Sequence, residues 1–162
     1  MREEILKPYK GKIFIETGAG GGSGIQCALK LGFQTIYSIE MKEIQYEVCR
    51  KLFKDNPEVI MIYGDSRDKF PELLKQIKEP ATIFLDAHTG KETTIMEELK
   101  ALQQHPIKTH TLLIDDLKIF SQNWNVKFHD LLREIERINI DYKLKITGPK
   151  DHPNHVLVAE IK

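Results

Sequence analysis

Acidic residues recur at the ends of short apolar segments along this 162-residue chain. Short apolar runs bounded by turn residues are typical of buried strands. A lone acid after a strand most often caps the next helix. Several acids along one edge of a sheet repel one another, so a binding role is the simpler reason to keep them together. The acids in question are Glu16, Glu40, Asp65, Asp86, Asp115 and Asp116.

Five glycines between positions 18 and 24 follow the first apolar segment and precede a predicted helix at 25–31. Glycine lets the backbone turn tightly and approach a ligand closely. The helix directs its free N–H groups and the positive end of its dipole at the loop. Strand, glycine loop and helix in this order are typical of a site for a nucleotide-like ligand. An ordinary turn is the alternative, but it does not need five residues that each cost conformational entropy.

Glu40 lies 22 positions after Gly18, at the end of the second predicted strand. A carboxylate there can accept hydrogen bonds from both ribose hydroxyls, and the spacing suits a dinucleotide or an adenosyl group alike. The loop matches the nicotinamide fingerprint imperfectly, because Ser23 stands at its last glycine position. No Lys-Ser or Lys-Thr pair follows the glycines, which excludes the phosphate loop of nucleotide hydrolases.

The elements that must position these residues alternate along the chain. We predict strands at 12–16, 35–40, 59–63, 82–86, 111–115, 142–147 and 155–161, and helices at 25–31, 43–54, 68–77, 94–103 and 128–138. Alternation implies a parallel sheet with helices on both faces, and the short connection between the last two strands implies an antiparallel hairpin. The expected fold class is therefore α/β, a three-layer Rossmann-like fold with a mostly parallel seven-stranded sheet and one antiparallel strand. Ligands of such sheets bind at the carboxyl ends of the strands, beside the first strand.

Length and composition limit the number of domains, the class of partner and the location of the protein. Residues 1–162 are expected to form a single domain. Lys+Arg and Asp+Glu both number 24, so no charged surface for a nucleic-acid partner is indicated. Cys27 and Cys49 fall in predicted helices and are expected to be reduced thiols of a cytoplasmic protein. No apolar run is long enough to cross a membrane, and the charged N-terminus has no signal-peptide core.

The ordered set of motifs resembles the class I S-adenosylmethionine-dependent methyltransferases over nearly the whole chain. Glu16-Thr-Gly18-Ala19-Gly20 resembles their first motif, acid-x-Gly-x-Gly, and the closing antiparallel hairpin resembles theirs as well. Glu40 matches their ribose-binding acid, and the turn Gly64-Asp65-Ser66 resembles the one where an acid meets the adenine amino group. The resemblance implies that the S-adenosylmethionine site comprises Glu16, Gly18, Ala19, Gly20, Glu40, Met41, Asp65, Ser66 and Asp86.

A narrower resemblance involves Asp86-Ala87-His88 and Asp115-Asp116. Metal-dependent O-methyltransferases, such as those acting on catechols and on sugars of macrolide and aminocoumarin antibiotics, carry an acid after strand four and an acidic pair after strand five. The resemblance implies that Asp86, Asp115 and Asp116 hold Mg²⁺ beside the methyl donor. A divalent cation with oxygen ligands would lower the pKa of an acceptor hydroxyl, making the oxyanion that attacks the methyl group.

Asp86 and His88 are the catalytic candidates in this comparison. The sugar enzymes often carry a second acid where this chain has His88. Histidine is a competent base near neutral pH, but a metal-ligand role and a plain polar role at the rim stay open. Asp116 has an alternative too: adjacent strand residues face opposite ways, so it can join Asp115 at one ion only if the strand ends there. Otherwise it is a helix N-cap.

The sequence thus predicts methyl transfer from S-adenosylmethionine to the oxygen of a small-molecule acceptor, with no membrane partner. Only about ten residues precede the first strand, so the acceptor site could be open, degenerate or completed by a second copy of the chain. The alternatives are a nucleoside-binding module without catalysis and a nicotinamide-dependent oxidoreductase. Trp124 is expected in a pocket wall or in packing, and 89–93 in a lid or a plain loop. Surface or turn positions are expected for His105, His110, His129, His152 and His155.

Overall fold

The computed structural model describes residues 3–89, 92–118, 120, 126–149 and 155–161. Trp124 and His152, as well as residues 90 and 91 of the predicted 89–93 loop, lie outside the described residues. The strands are β1 (Ile13–Thr17), β2 (Thr35–Glu40), β3 (Val59–Tyr63), β4 (Thr82–Leu85), β5 (Thr111–Ile114), β6 (Lys143–Thr147) and β7 (Val156–Glu160). The helices are α1 (Glu3–Leu6), α2 (Ser23–Leu31), α3 (Glu43–Leu52), α4 (Ser66–Leu74), α5 (Ile95–Gln104) and α6 (Phe128–Ile138), and a short 3-10 turn covers Lys7–Tyr9.

All seven strands form one sheet in the order β3-β2-β1-β4-β5-β7-β6. The strands β1 to β5 run parallel to one another, and β7 lies antiparallel between β5 and β6. The order reverses at β1, which pairs with β2 on one side and β4 on the other. The predicted fold class, a mostly parallel sheet with one antiparallel strand, is confirmed.

Helices cover both faces of the sheet because neighbouring strand residues point to opposite sides. In β1, Phe14 belongs to the apolar cluster with Ile25 of α2, and Ile15 belongs to the cluster with Leu99 of α5 and Leu131 of α6. These side chains are all fully buried. The central strands thus have two hydrophobic faces, which explains why their sequences are continuously apolar rather than alternating.

The predicted boundaries agree with the observed ones to within two residues, except that α4 ends three residues earlier than predicted, and the start of α4 shows a physical reason for such differences. Asp65 accepts a hydrogen bond from the backbone N–H of Arg67 at 2.9 Å, so the helix begins at Ser66 and not at residue 68. Pro71 therefore lies inside the helix, where a first-turn position was predicted. Strand β1 likewise extends to Thr17, and α3 ends at Leu52 rather than at residue 54.

The prediction of surface or turn positions for His105 and His110 is wrong about the surface, since both residues are buried, while His105 does lie at the bend that follows α5. Nδ1 of His110 accepts a hydrogen bond from the Ala81 N–H at 3.0 Å, so its Nε2 carries the proton. That nitrogen lies 3.0 Å from Nδ1 of His105, whose own Nε2 reaches the Ile77 carbonyl oxygen at 3.3 Å. The chain of hydrogen bonds satisfies both neutral rings, which is why they tolerate burial.

Cys27 and Cys49 are free thiols, as predicted, with Cys27 half-buried and Cys49 buried. Within the described ranges, no helix is long and apolar enough to span a bilayer.

Candidate functional site

A cavity of about 220 Å³ opens at the carboxyl ends of β1 to β4, where the strand order reverses. Eight of the residues predicted for the site line it: Gly18, Gly20, Glu40, Met41, Asp65, Ser66, Asp86 and His88. The lining also includes residues that were not among the predicted site residues: Ile39, Lys42, Gln45, Gly64, Arg67, Ala87, Thr89, Glu92 and Thr94. The parallel strands explain the convergence, since their carboxyl ends meet at one edge of the sheet.

The glycine loop is held against the neighbouring strands by its backbone. The Gly18 N–H donates to the carbonyl oxygen of Ile39 at 2.9 Å, and the φ of Gly18 is 85°. A Cβ at this position would lie 2.8 Å from the carbonyl oxygen of Asp86. Glycine is therefore required here for two reasons, the positive φ and the close approach of the chain that ends β4.

Glu40 is fixed in orientation by two backbone groups. One carboxylate oxygen accepts from the Gly20 N–H at 2.9 Å, and the other accepts from the Lys42 N–H at 2.8 Å. The residue is 5% exposed and lines the cavity. Each carboxylate oxygen has a second lone pair, so the group can still accept hydrogen bonds from a ligand.

Glu16 and Ala19 are buried and lie beside the cavity without lining it. The Ser38 hydroxyl donates to Glu16 at 2.7 Å. A Cβ at Gly24 would lie only 1.9 Å from the other carboxyl oxygen of Glu16. The acid therefore packs directly against the first turn of α2. Burial raises the pKa of Glu16 to about 8. The carboxyl group of Glu16 therefore supports the glycine loop by packing against it.

Asp65 caps α4 and also pairs with the guanidinium of Arg67, at 2.7 Å from Nη2. The hydrogen bonds from Arg67 lower the pKa of Asp65, so the carboxylate at this corner of the cavity is charged near neutral pH. The neighbouring Ser66 hydroxyl donates to the Thr94 hydroxyl oxygen at 3.0 Å.

Glu98 is a buried acid that the sequence analysis missed. The Thr94 hydroxyl donates to it at 2.8 Å, which links it through Ser66 to the cavity wall. Burial raises the pKa of Glu98 to about 7. The signal in the sequence was its place on the apolar stripe of α5, between Ile95 and Leu102, where a solvent-facing acid does not belong.

Three further acids form a cluster at the ends of β4 and β5. Asp86 forms the boundary between the main cavity and a smaller hollow lined by Asp115 and Asp116. Burial, and then the nearby charges of Asp115 and Asp116, raise the pKa of Asp86 to about 8. Strand β5 ends at Ile114, and Asp116, two residues later, has a φ of 60°, a left-handed conformation; its side chain lines the same hollow.

Two histidines contact opposite oxygens of Asp116. Nε2 of His88 lies 3.4 Å from Oδ2, and Nε2 of His155 lies 2.9 Å from Oδ1. His155 also reaches Oδ1 of Asp115 at 3.4 Å. The interpretation of His155 as a surface or turn residue missed these contacts, and no spacing in the sequence indicated them.

The cluster offers donor atoms for a divalent cation in two overlapping sets. One atom from each of Asp86, His88 and Asp116 lies within 4.8 Å of the others, and the same holds for Asp115, Asp116 and His155. The predicted metal acids Asp86 and Asp116 thus come together, while Asp115 is grouped with Asp116 and a histidine. Carboxylate and imidazole donors at these separations fit a divalent ion.

The fold is shared with methyltransferases of known structure. The O-methyltransferase TomG from Streptomyces achromogenes, involved in tomaymycin synthesis and solved with S-adenosylmethionine, superposes with a TM-score of 0.68 at 14% identity, over 99% of this chain and 77% of TomG. The methyltransferase PaMTH1 from Podospora anserina, bound to S-adenosylhomocysteine, has a TM-score of 0.68 at 13% identity, covering 99% and 76%. The O-methyltransferase from Bacillus cereus, in complex with S-adenosylhomocysteine, has a TM-score of 0.66 at 12% identity, covering 99% and 78%.

This chain has the methyltransferase fold. Comparison with protein-family models and with curated protein sequences finds no match. Likeness at such low identity concerns the fold, so the activity has to be argued from the residues of the site.

Proposed function

We propose that the protein transfers a methyl group from S-adenosylmethionine to the oxygen of a small hydroxylated acceptor, assisted by a divalent cation. The observation that carries this proposal is the placement of Glu40. Its two carboxylate oxygens are oriented by backbone N–H groups on the wall of a cavity beside a glycine loop. This is the arrangement that two adjacent ribose hydroxyls need. The S-adenosylmethionine and S-adenosylhomocysteine complexes of proteins with the same fold support the choice of ligand.

The cofactor residues follow from that placement. Gly18, Ala19 and Gly20 supply backbone near the adenosyl group, with Glu16 bracing them from beneath. Met41 follows Glu40 on the cavity wall and presents a polarisable apolar side chain. Asp65 and Ser66 face the far corner of the cavity, where the adenine amino group would find a charged acceptor. The whole chain, 1–162, acts as a single S-adenosylmethionine-binding domain in this proposal.

The reacting end of the methyl donor would lie near Asp86 and His88. Both residues line the cavity on the side of the acidic cluster. Asp86, Asp115 and Asp116 would hold the cation, with Mg²⁺ as the ion first expected. When bound, the ion would lower the pKa of an acceptor hydroxyl. His88 is the group on the open side of the cluster, with a side chain 40% exposed, and can accept the proton of the arriving hydroxyl.

Calorimetric titration tests the proposal first. The protein should bind S-adenosylhomocysteine and not NAD, and binding of NAD alone would contradict the methyltransferase assignment. A panel of hydroxylated acceptors with labelled S-adenosylmethionine then tests transfer. Binding without transfer to any acceptor would favour a nucleoside-binding module over an enzyme. Asp115→Ala should reduce both the transfer rate and its response to metal.

A further inference from the structure

We propose that His155 is a nitrogen ligand of the cation site formed with Asp115 and Asp116. The site would then select ions of the zinc and cobalt class over Mg²⁺. The proposal rests on the cation assistance proposed above, and it adds a donor to that site and changes the class of ion expected there.

The donor atoms of His155, Asp115 and Asp116 lie close together. Nε2 of His155 lies 2.9 Å from one oxygen of Asp116 and 3.4 Å from one oxygen of Asp115. A divalent ion about 2.0–2.2 Å from each donor holds neighbouring donor atoms about 2.8–3.6 Å apart, from octahedral to tetrahedral geometry. Both separations from Nε2 of His155 fall in that range, and the two carboxylates offer oxygens within 4.8 Å of each other, so the donors already converge on one point.

The backbone of His155 is held in place on two sides. Its backbone N–H donates to the carbonyl oxygen of Thr147 at 2.9 Å, and its carbonyl oxygen accepts from the Leu117 N–H at 3.1 Å. The residue is thus tied both to the end of β6 and to the turn that follows the acidic pair. A ligand whose backbone is held on two sides loses little freedom when it binds an ion.

His88 is placed differently from His155. Its Nε2 lies 3.4 Å from Asp116, and its side chain is more exposed, 40% against 28% for His155. His88 also lines the cavity proposed for the methyl donor, whereas His155 does not. His88 also belongs to the donor set with Asp86 and Asp116, but it faces the cavity, so we assign His88 to the acceptor and His155 to the ion.

The choice of ion follows from donor chemistry. Mg²⁺ prefers oxygen ligands in octahedral geometry and keeps several waters. Imidazole nitrogen suits zinc, iron, nickel and copper, and carboxylates are compatible with both groups. One imidazole with two carboxylates is therefore a mixed site in which a nitrogen-preferring ion gains a bond that Mg²⁺ does not use.

The test compares His155→Asn with wild type, using metal-free protein titrated with Zn²⁺ and, separately, with Mg²⁺. We expect the variant to lose at least about tenfold in Zn²⁺ affinity, since loss of even an outer partner of a ligand costs about 10- to 100-fold. Its Mg²⁺ affinity should change by less than about twofold, because Mg²⁺ relies on the oxygens. The matched control is His129→Asn, because His129 is a more exposed histidine 3.2 Å from Asp130 and far from the cluster in sequence.

Equal losses of Zn²⁺ and Mg²⁺ affinity in His155→Asn would overturn the proposal, since they would show that His155 only positions the carboxylates. A second readout uses the protein loaded with Co²⁺. Wild type should show a strongly shifted, exchangeable imidazole N–H resonance that His155→Asn lacks, and persistence of this resonance in the variant would also overturn the proposal. Binding of S-adenosylhomocysteine does not depend on His155, so an intact cofactor titration separates failure of this inference from failure of the proposed function.

Discussion

The carboxylate of Glu40 accepts a hydrogen bond from the backbone N–H of Gly20 at 2.9 Å, across the mouth of the cavity. A second backbone group, the Lys42 N–H, donates to the other oxygen at 2.8 Å. The Glu40 side chain thereby connects the end of β2 to the glycine loop after β1. The same oxygens are the ones proposed to receive the ribose, so binding and loop geometry depend on one carboxylate.

Replacing Glu40 by Gln should weaken S-adenosylhomocysteine binding by about 10- to 100-fold. The amide keeps one acceptor oxygen, so it cannot serve both backbone donors, and an unsatisfied donor costs about 1–3 kcal/mol. Calorimetric titration measures the effect. Glu43→Gln, at the exposed start of α3, is the matched control and should bind like wild type. Equal affinity in the two variants would remove Glu40 from the site.

Gly18→Ala should destabilise the fold by about 1–3 kcal/mol through backbone strain. Its Cβ would meet the Asp86 carbonyl oxygen at 2.8 Å, at a φ of 85° that disfavours any side chain. Gly21→Ala is the control in the same loop, since a Cβ there meets nothing within 4 Å. Urea denaturation compares the two. A loop that is merely flexible would give the same small change for both variants.

Glu16→Gln should remove the contribution of Glu16 to the pH dependence of the unfolding free energy. The native pKa of about 8 lies above the usual value of 4.5, so the folded state favours the neutral acid. The resulting stabilisation is complete below about pH 4.5 and is lost as the pH rises through 8. Relative to wild type, the variant should gain about 2–4 kcal/mol in unfolding free energy between pH 5 and pH 8.5.

Denaturant unfolding at a series of pH values measures this gain. Asp86 and Glu98, with pKa values raised to about 8 and about 7, act in the same direction in both proteins, and Glu16 makes only the smallest contribution to the raised pKa of Asp86, so the two acids largely cancel in the comparison. Glu136→Gln on α6 is the exposed control. Parallel stability curves for wild type and Glu16→Gln would show that the acid under the loop is ionised at neutral pH.

His110→Asn should make the unfolding free energy less dependent on pH under acidic conditions. Burial, with smaller contributions from His105 and Lys108, lowers the pKa of His110 from 6.5 to about 4. The unfolded chain therefore binds more protons, and stability is lost as the pH falls from about 6.5 through 4. Asparagine can still accept from the Ala81 N–H but does not titrate, so the variant should be less stable at pH 7 and less sensitive to acid. An unchanged acid slope, measured by denaturant unfolding beside the His129→Asn control, would contradict the neutral histidine pair.

The parts of the site that the sequence predicted are those governed by the ends of parallel strands. Glu40 and Asp86 close two different strands, and both line one cavity because those ends share an edge. Glu16 also closes an apolar segment, but β1 continues to Thr17, so its side chain points under the loop and not into the cavity. The position of the strand could be predicted from the sequence. The direction of the Glu16 side chain could not, because it depends on which residue is the last of the strand.

The missed residues depend on contacts between distant parts of the chain. His155 meets Asp116 because β7 pairs with β5, with Leu157 opposite Ile114. His105 and His110 are buried because backbone groups at Ile77 and Ala81 satisfy their nitrogens, and no pattern of hydrophobicity reports such partners. Polar residues in the interior are thus predicted only after the fold has supplied their hydrogen-bond partners.

The reversed direction of β7 has a consequence for how such a protein can diversify. Parallel strands present their outgoing connections to the ligand, whereas an antiparallel strand presents the residue that enters it, here His155. Changes just before β7 can therefore alter the proposed cation site. The proposed nucleoside site, built from β1, β2 and β3 across the sheet, would be left intact, so under the proposed function a metal preference and a methyl-donor preference can evolve separately.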